Sequence, residues 1–172
     1  MLLLCENIDP QGDRILVFAT DANLVKLCAS EMMFSDGTFH SCSTLFTQLY
    51  ILYAKVNGTV FPLVFGLLSN KTEDTYERFS TLLKNAVHER PSMLTPEHWI
   101  LDSEVAAHNA IRASFLLTST KGCFFHYTQR KWRKVQSTGL EVTFREDEYF
   151  HQLVRRATVV PLVPENIVEN VL

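Results

Sequence analysis

Asn57-Gly58 separates two long apolar runs, LFTQLYILYAKV (Leu45 to Val56) and VFPLVFGLLS (Val60 to Ser69). A two-residue type I′ turn needs positive φ at both central positions, which asparagine and glycine tolerate best. The flanking runs are rich in β-branched and aromatic residues, as strands prefer. They therefore predict two neighbouring antiparallel strands, and the rest of the chain has to build on that ladder.

Around the hairpin, strand and helix patterns alternate. RILVFA (Arg14 to Ala19) reads as a short strand, and Thr20-Asp21 can cap a helix carrying Leu24, Val25, Leu27 and Cys28. MMFSDGTF, from Met32, is a further strand. From Thr75 to His88 the period changes: Tyr76, Phe79, Leu82, Leu83 and Val87 recur at helical spacing. Pro91 and Pro96 mark a loop. HWILD (His98 to Asp102) is a short buried strand, and Ser103 to Phe115 is a helix turning Val105, Ala106, Ala110, Ile111 and Phe115 toward the core. Residues 120–125 (TKGCFF) supply a last strand before a helical C-terminal stretch. This order predicts an α/β domain with a mixed sheet flanked by helices. With 172 residues, 47% of them apolar, the chain can bury one substantial core, so residues 1–172 read as a single domain or most of one.

A net charge of −3 argues against holding nucleic acid through the overall field, so such binding needs a local basic patch. The cysteines (Cys5, Cys28, Cys42 and Cys123) lack paired spacing, and MLLLCENIDPQGD has neither the basic start nor the long apolar stretch of a signal peptide. A reduced, intracellular chain is the expectation. No apolar stretch approaches the roughly 20 residues that span a bilayer, so no membrane partner is expected.

Two acids occupy comparable places in this order. Asp36 falls at the end of the strand before the hairpin, and Asp102 at the end of the strand after the long helix. Ligand crevices form at such strand ends. Two carboxylates converging there suit Mg²⁺ or Mn²⁺, which take oxygen ligands and keep waters for a phosphate. Each acid also has a plainer reading, since Asp36-Gly37 is a common turn pair and Asp102 before Ser103 can cap a helix.

Cys123-Phe-Phe-His126 has the spacing of half a zinc site, yet no second such pair follows, and His40 and Cys42 complete it only if folding happens to bring them there. The plainer reading is a buried thiol beside a hydrogen-bonded histidine. YTQRKWRKVQ follows directly, with Arg130, Lys131, Arg133 and Lys134 around Trp132. If helical, it presents His126, Arg130, Arg133 and Lys134 on one face, either to a DNA backbone or simply to solvent, while Trp132 stacks or packs. Glu146-Asp147-Glu148 suits the first turn of a following helix.

DGTF, then QLY, FPLVFGLLSNKTEDTYERF, LDSEVAAHNAI and GCFFHYTQRKWRKVQSTGL form an ordered series that resembles the transposase domain of Mutator-like elements, the MULE family, from about residue 15 onward. The resemblance implies an RNase H-like fold, with a core over residues 15–125 and the start of a helical insertion over residues 126–172. It also implies a DDE-type site that uses divalent metal ions to cleave and transfer DNA strands, a nuclear location, and DNA as partner, and it is compatible with a homo-oligomer. By position Asp36 matches the family's first catalytic aspartate and Asp102 the second. Glu104 and Ala107 match residues that support the strand-to-helix junction, and Cys123 and His126 match a Cys-x-x-His segment associated with DNA handling. The family's third acid, a glutamate beyond the insertion, is not identifiable in this chain: the last acids, Glu165 and Glu169, sit in VPENIVENVL, which resembles part of the insertion rather than the final catalytic helix. A decayed or domesticated fragment that binds DNA or protein without catalysis is the alternative. A proofreading-type exonuclease, with its second acid two residues after the first, is opposed by Thr38.

Overall fold

The computed structural model describes residues 2–10, 12–38, 42–89 and 93–170. Pro91 and His40 fall outside them. The chain divides into two compact units, Met1–Lys121 and Gly122–Leu172.

The first unit is built on a seven-stranded mixed sheet. In chain order its elements are β1 (Leu2–Ile8), β2 (Arg14–Ala19), α1 (Asp21–Cys28), β3 (Met32–Thr38), β4 (Gln48–Val56), β5 (Thr59–Leu68), α2 (Glu73–His88), β6 (His98–Leu101), α3 (Val105–Ser114) and β7 (Ser119–Gly122). The strands lie in the order β1-β2-β5-β4-β3-β6-β7. Pairing is antiparallel from β1 through β3, and β3 pairs with β6 in parallel. Helix α2 makes the crossover that a parallel neighbour requires.

Local chemistry accounts for the elements. Asn57 (φ 49°) and Gly58 (φ 82°) both take the left-handed region, as the turn between β4 and β5 demands. The Thr20 side chain accepts from Asn23 N and caps α1, and Thr72 does the same for α2 through Thr75 N. The register defines two faces of the sheet. Ile15, Val17, Met33, Ser35, Gln48, Tyr50, Leu52, Val64, Leu68, Trp99 and Leu101 share one face and are buried. Tyr76, Phe79 and Leu83 of α2 and Ala110 and Ile111 of α3 join that core. Gly66 lets α2 sit close, because a Cβ there would lie 2.6 Å from Phe79 Cε2. On the opposite face Phe34, Ile51, Tyr53, Phe65 and Ile100 remain only half-buried.

Several expectations are corrected. Residues 2–8, read only for the absence of a signal peptide, form edge strand β1, held to β2 by a turn in which Asp13 N donates to Asp9 Oδ1 at 2.8 Å. Arg78 ties this hairpin to α2, pairing with Asp9 Oδ2 at 2.6 Å and donating through Nε to Asn7 Oδ1 at 3.0 Å. Strand β4 begins at Gln48, since Phe46 N bonds Ser43 O in a turn before it. Val105 is 70% exposed at the first turn of α3, and Ala107 takes its place in the core. The last strand ends at Gly122, so Phe124 and Phe125 open a helix instead of closing a strand.

The second unit is helical: α4 (Phe124–Ser137), α5 (Glu141–Glu146) and α6 (Glu148–Val159), followed by 3₁₀ turns at Val160–Leu162 and Glu165–Asn170. Gly139 (φ 70°) ends α4: its N–H bonds Gln136 O and Leu140 N–H bonds Val135 O, both at 3.0 Å, the paired bonds of a Schellman cap. Trp132 packs edge-on against Phe144 (5.2 Å), Phe144 stacks on His151 (4.5 Å), and the Tyr127 hydroxyl donates to Ala157 O at 2.7 Å. Asp147 caps α6 by accepting from Phe150 N, with Glu148 in its first turn. Of the described helices none is long and apolar enough to cross a membrane.

Candidate functional site

Parallel pairing of β3 with β6 aligns Ser35 with Leu101. Asp36 and Asp102 each follow by one residue, so they stand level, Asp36 within β3 and Asp102 just past the end of β6, on strands that run about 4.8 Å apart. Asp36 and Asp102 are among the residues that line a cavity of about 20 Å³, together with Ser35, Gly37, Tyr50, Leu101, Glu104 and Ala107, a volume close to that of one water-sized probe.

The plainer readings of the two acids do not describe this arrangement. Asp36 lies within β3, opposite Ile51, and Gly37 continues the ladder opposite Tyr50, so the pair is not a turn. Asp102 does not cap α3, because Glu104 occupies the cap position. Instead Asp102 Oδ1 accepts from Ser103 N at 2.6 Å, which orients the carboxylate at the strand end.

Hydrogen-bonded side chains surround the acids. Glu104 Oε2 accepts from the Tyr76 hydroxyl at 2.7 Å, and that hydroxyl accepts from Gln48 Nε2 at 2.8 Å. Glu104 thus links the β6–α3 junction to α2 and β4, a supporting role. Ala107, 3% exposed, leaves room at the cavity. Burial pushes the Tyr50 hydroxyl well above the usual tyrosine range; its bond to Ser35 opposes the shift, and the charges of Glu104 and Asp36 add to it. Tyr53 is raised by burial and then by Asp36. His108 is held below the usual histidine range by burial and then by Arg112, opposed by its hydrogen bond to the Asp102 backbone and by the Asp102 charge. Ser35, Gln48, Tyr50, Tyr76, Trp99 and His108 went unnoticed as site neighbours in the sequence. The one available signal was Gln48, a polar residue on the buried face of an apolar strand.

The donor set suits a hard cation. Mg²⁺ is held by one or two carboxylates and keeps its remaining waters for a substrate phosphate, and two carboxylates beside a water-sized cavity match that demand. Among the described residues no group of three or more His, Cys, Asp or Glu is placed to hold a metal ion. The side chains of Glu165 and Glu169 lie outside the described residues.

In the second unit, Cys123 is the cap residue of α4 and His126 lies in its first turn, 5.5 Å from Phe125 in an edge-on contact. Arg130, Lys131, Arg133 and Lys134 are all exposed on α4. At about 100° per residue His126, Arg130, Arg133 and Lys134 share one face, whereas Lys131 Nζ sits 5.1 Å over the Tyr127 ring. Trp132 packs against Phe144, which is the packing role for that residue.

A family model described as the MULE transposase domain matches residues 32–130, from the start of β3 into α4. The matched span contains Asp36, Asp102, Cys123, His126 and Arg130. No curated protein matches the chain.

Proposed function

Because the chain belongs to the MULE transposase domain family, we propose that it carries out metal-dependent cleavage and transfer of DNA strands, with Asp36 and Asp102 as the acids that hold Mg²⁺ or Mn²⁺. The observation that carries this reading is the β3–β6 register, which aligns Ser35 with Leu101 and so puts each aspartate one residue beyond the same aligned pair. A cation held by Asp36 and Asp102 would supply charge neutralisation at the phosphodiester and would lower the pKa of an attacking hydroxyl. Asp36 is presented from within β3 and Asp102 from the residue directly after β6, where its carboxylate accepts from Ser103 N, so both acids are anchored to the sheet. The Arg130, Arg133 and Lys134 face of α4, with His126, contacts the DNA backbone and supplies affinity without reading sequence. Cys123, at the cap of the same helix, belongs to this DNA-handling segment.

The assay is nicking of supercoiled plasmid in Mn²⁺ by the full chain and by its Asp36→Asn and Asp102→Asn variants. Nicking by the wild type that both variants lose supports the reading. One observation favours a second reading, a DNA-binding module without catalysis: among the described residues no group of three or more His, Cys, Asp or Glu is placed to hold a metal ion. Retarded DNA migration without any nicking, equal in all three proteins, selects that reading and refutes the first.

A further inference from the structure

Ser35 is buried in β3, one residue before Asp36, and its hydroxyl oxygen accepts two hydrogen bonds. One comes from the Tyr50 hydroxyl at 2.7 Å and the other from Trp99 Nε1 at 3.0 Å. Tyr50 belongs to β4 and Trp99 to β6, the strands on either side of β3. A single oxygen therefore ties three adjacent strands together. The tie sits one residue before both acids, because Ser35 precedes Asp36 and pairs with Leu101, the residue before Asp102.

The surroundings argue that the hydroxyl is there for its bonds. Its neighbours on this face, Met33, Leu52 and Leu101, are apolar and fully buried, where an unbonded hydroxyl is costly. Both donors are buried too, at 4% exposure for Tyr50 and 0% for Trp99, so water cannot replace Ser35 as their acceptor. The Tyr50 ring is further fixed by Tyr76 and Phe79, with centroids 5.2 and 5.4 Å away. We propose that Ser35 is a positioning residue for the Asp36–Asp102 pair: by accepting from Tyr50 and Trp99 it holds β4 and β6 against β3 and sets the separation of the two carboxylates. This rests on the reading of the aspartates as metal-holding acids.

The test is calorimetric titration of Mn²⁺ into the full chain and its Ser35→Ala and Tyr50→Phe variants, with Leu27→Ala, a core truncation on α1, as a measure of general loosening. Residues that orient metal ligands from behind typically change affinity by about 10- to 100-fold when removed. Ser35→Ala is expected to weaken Mn²⁺ binding by that factor, Tyr50→Phe by part of it, and the double variant by no more than Ser35→Ala alone. Leu27→Ala is expected to melt earlier yet bind Mn²⁺ as the wild type does. The Trp99 indole N–H resonance is expected to move in Ser35→Ala. Unchanged affinity in Ser35→Ala overturns the proposal, as does an equal loss in Leu27→Ala. Should Ser35→Ala fail to fold, unchanged affinity in Tyr50→Phe overturns it and weakened affinity supports it. Failure of the wild type to bind Mn²⁺ refutes the metal reading itself and the proposal with it, an outcome visible before any variant is compared.

Discussion

Replacing Tyr76 with phenylalanine removes one oxygen and cuts two links at once. The hydroxyl donates to Glu104 Oε2 at 2.7 Å and accepts from Gln48 Nε2 at 2.8 Å. Losing a hydrogen bond to a charged acceptor costs about 1.5–3 kcal/mol, and stranding a buried donor about 1–3 kcal/mol. Gln48 is fully buried but keeps a 3.4 Å contact with Asn70 O, which favours the lower end of the second range. The phenyl ring keeps the packing of a residue that is 1% exposed, so no cavity cost is added. The sum is about 3 kcal/mol, or roughly 10 °C in melting temperature for a unit of this size. The assay is urea unfolding followed by Trp99 fluorescence in a Trp132→Phe background, which restricts the signal to the first unit. An unchanged m-value is expected, since the surface exposed on unfolding stays the same. In the Tyr76→Phe background Glu104→Gln should cost about 1–2 kcal/mol less than it does alone, because the partner is already gone. A loss below about 1 kcal/mol, or additive effects of the two substitutions, would refute the claim that this chain of bonds braces the strand-to-helix junction.

Other perturbations probe separate links. Gly66→Ala places a Cβ 2.6 Å from Phe79, a ring already held edge-on by Tyr50, and is expected to destabilise the first unit by about 1–3 kcal/mol in the same unfolding assay. Replacing Arg130, Arg133 and Lys134 together by alanine should lower the slope of log affinity for duplex DNA against log salt by roughly 2–3, at about 0.9 per phosphate contact, in gel-shift titrations. The folded pKa of His108 is depressed, so the unfolded chain binds its proton first and the histidine's stabilising contribution, present above about pH 6.5, is lost as pH falls toward the folded value. Melting temperature in metal-free buffer should therefore drop between pH 7 and 5, and His108→Gln should flatten that slope.

What the sequence disclosed was the chemistry that acts over short distances. Asn57-Gly58 carries its own turn requirement, Thr20 caps a helix through a residue three positions away, and the apolar period of α2 is complete within one segment. Strand β1 was hidden because LLLCENI has no clean alternation and gains its partner only through the hairpin to β2. The boundary between β7 and α4 was misplaced because Cys123, Phe124 and Phe125 suit a strand locally, while the spacing of Phe125, Thr128, Gln129 and Trp132 commits them to a helix. Asp36 and Asp102 could each be noticed as strand-end acids, but their alignment depends on a parallel register between segments 66 residues apart. The supporting bonds are equally remote: Ser35 meets partners 15 and 64 residues away, and Tyr76 meets Glu104 across 28. No local pattern encodes such pairs, since each follows only from the sheet order.

The central claim is that Asp36 and Asp102 act as one metal site. Calorimetric titration of Mn²⁺ into the wild type, Asp36→Ala, Asp102→Ala and the double variant tests it most directly. The account predicts saturable binding by the wild type, its loss in either single variant, and no further loss in the double variant. Equal heats in all four proteins, or single losses that simply add, would contradict a shared site.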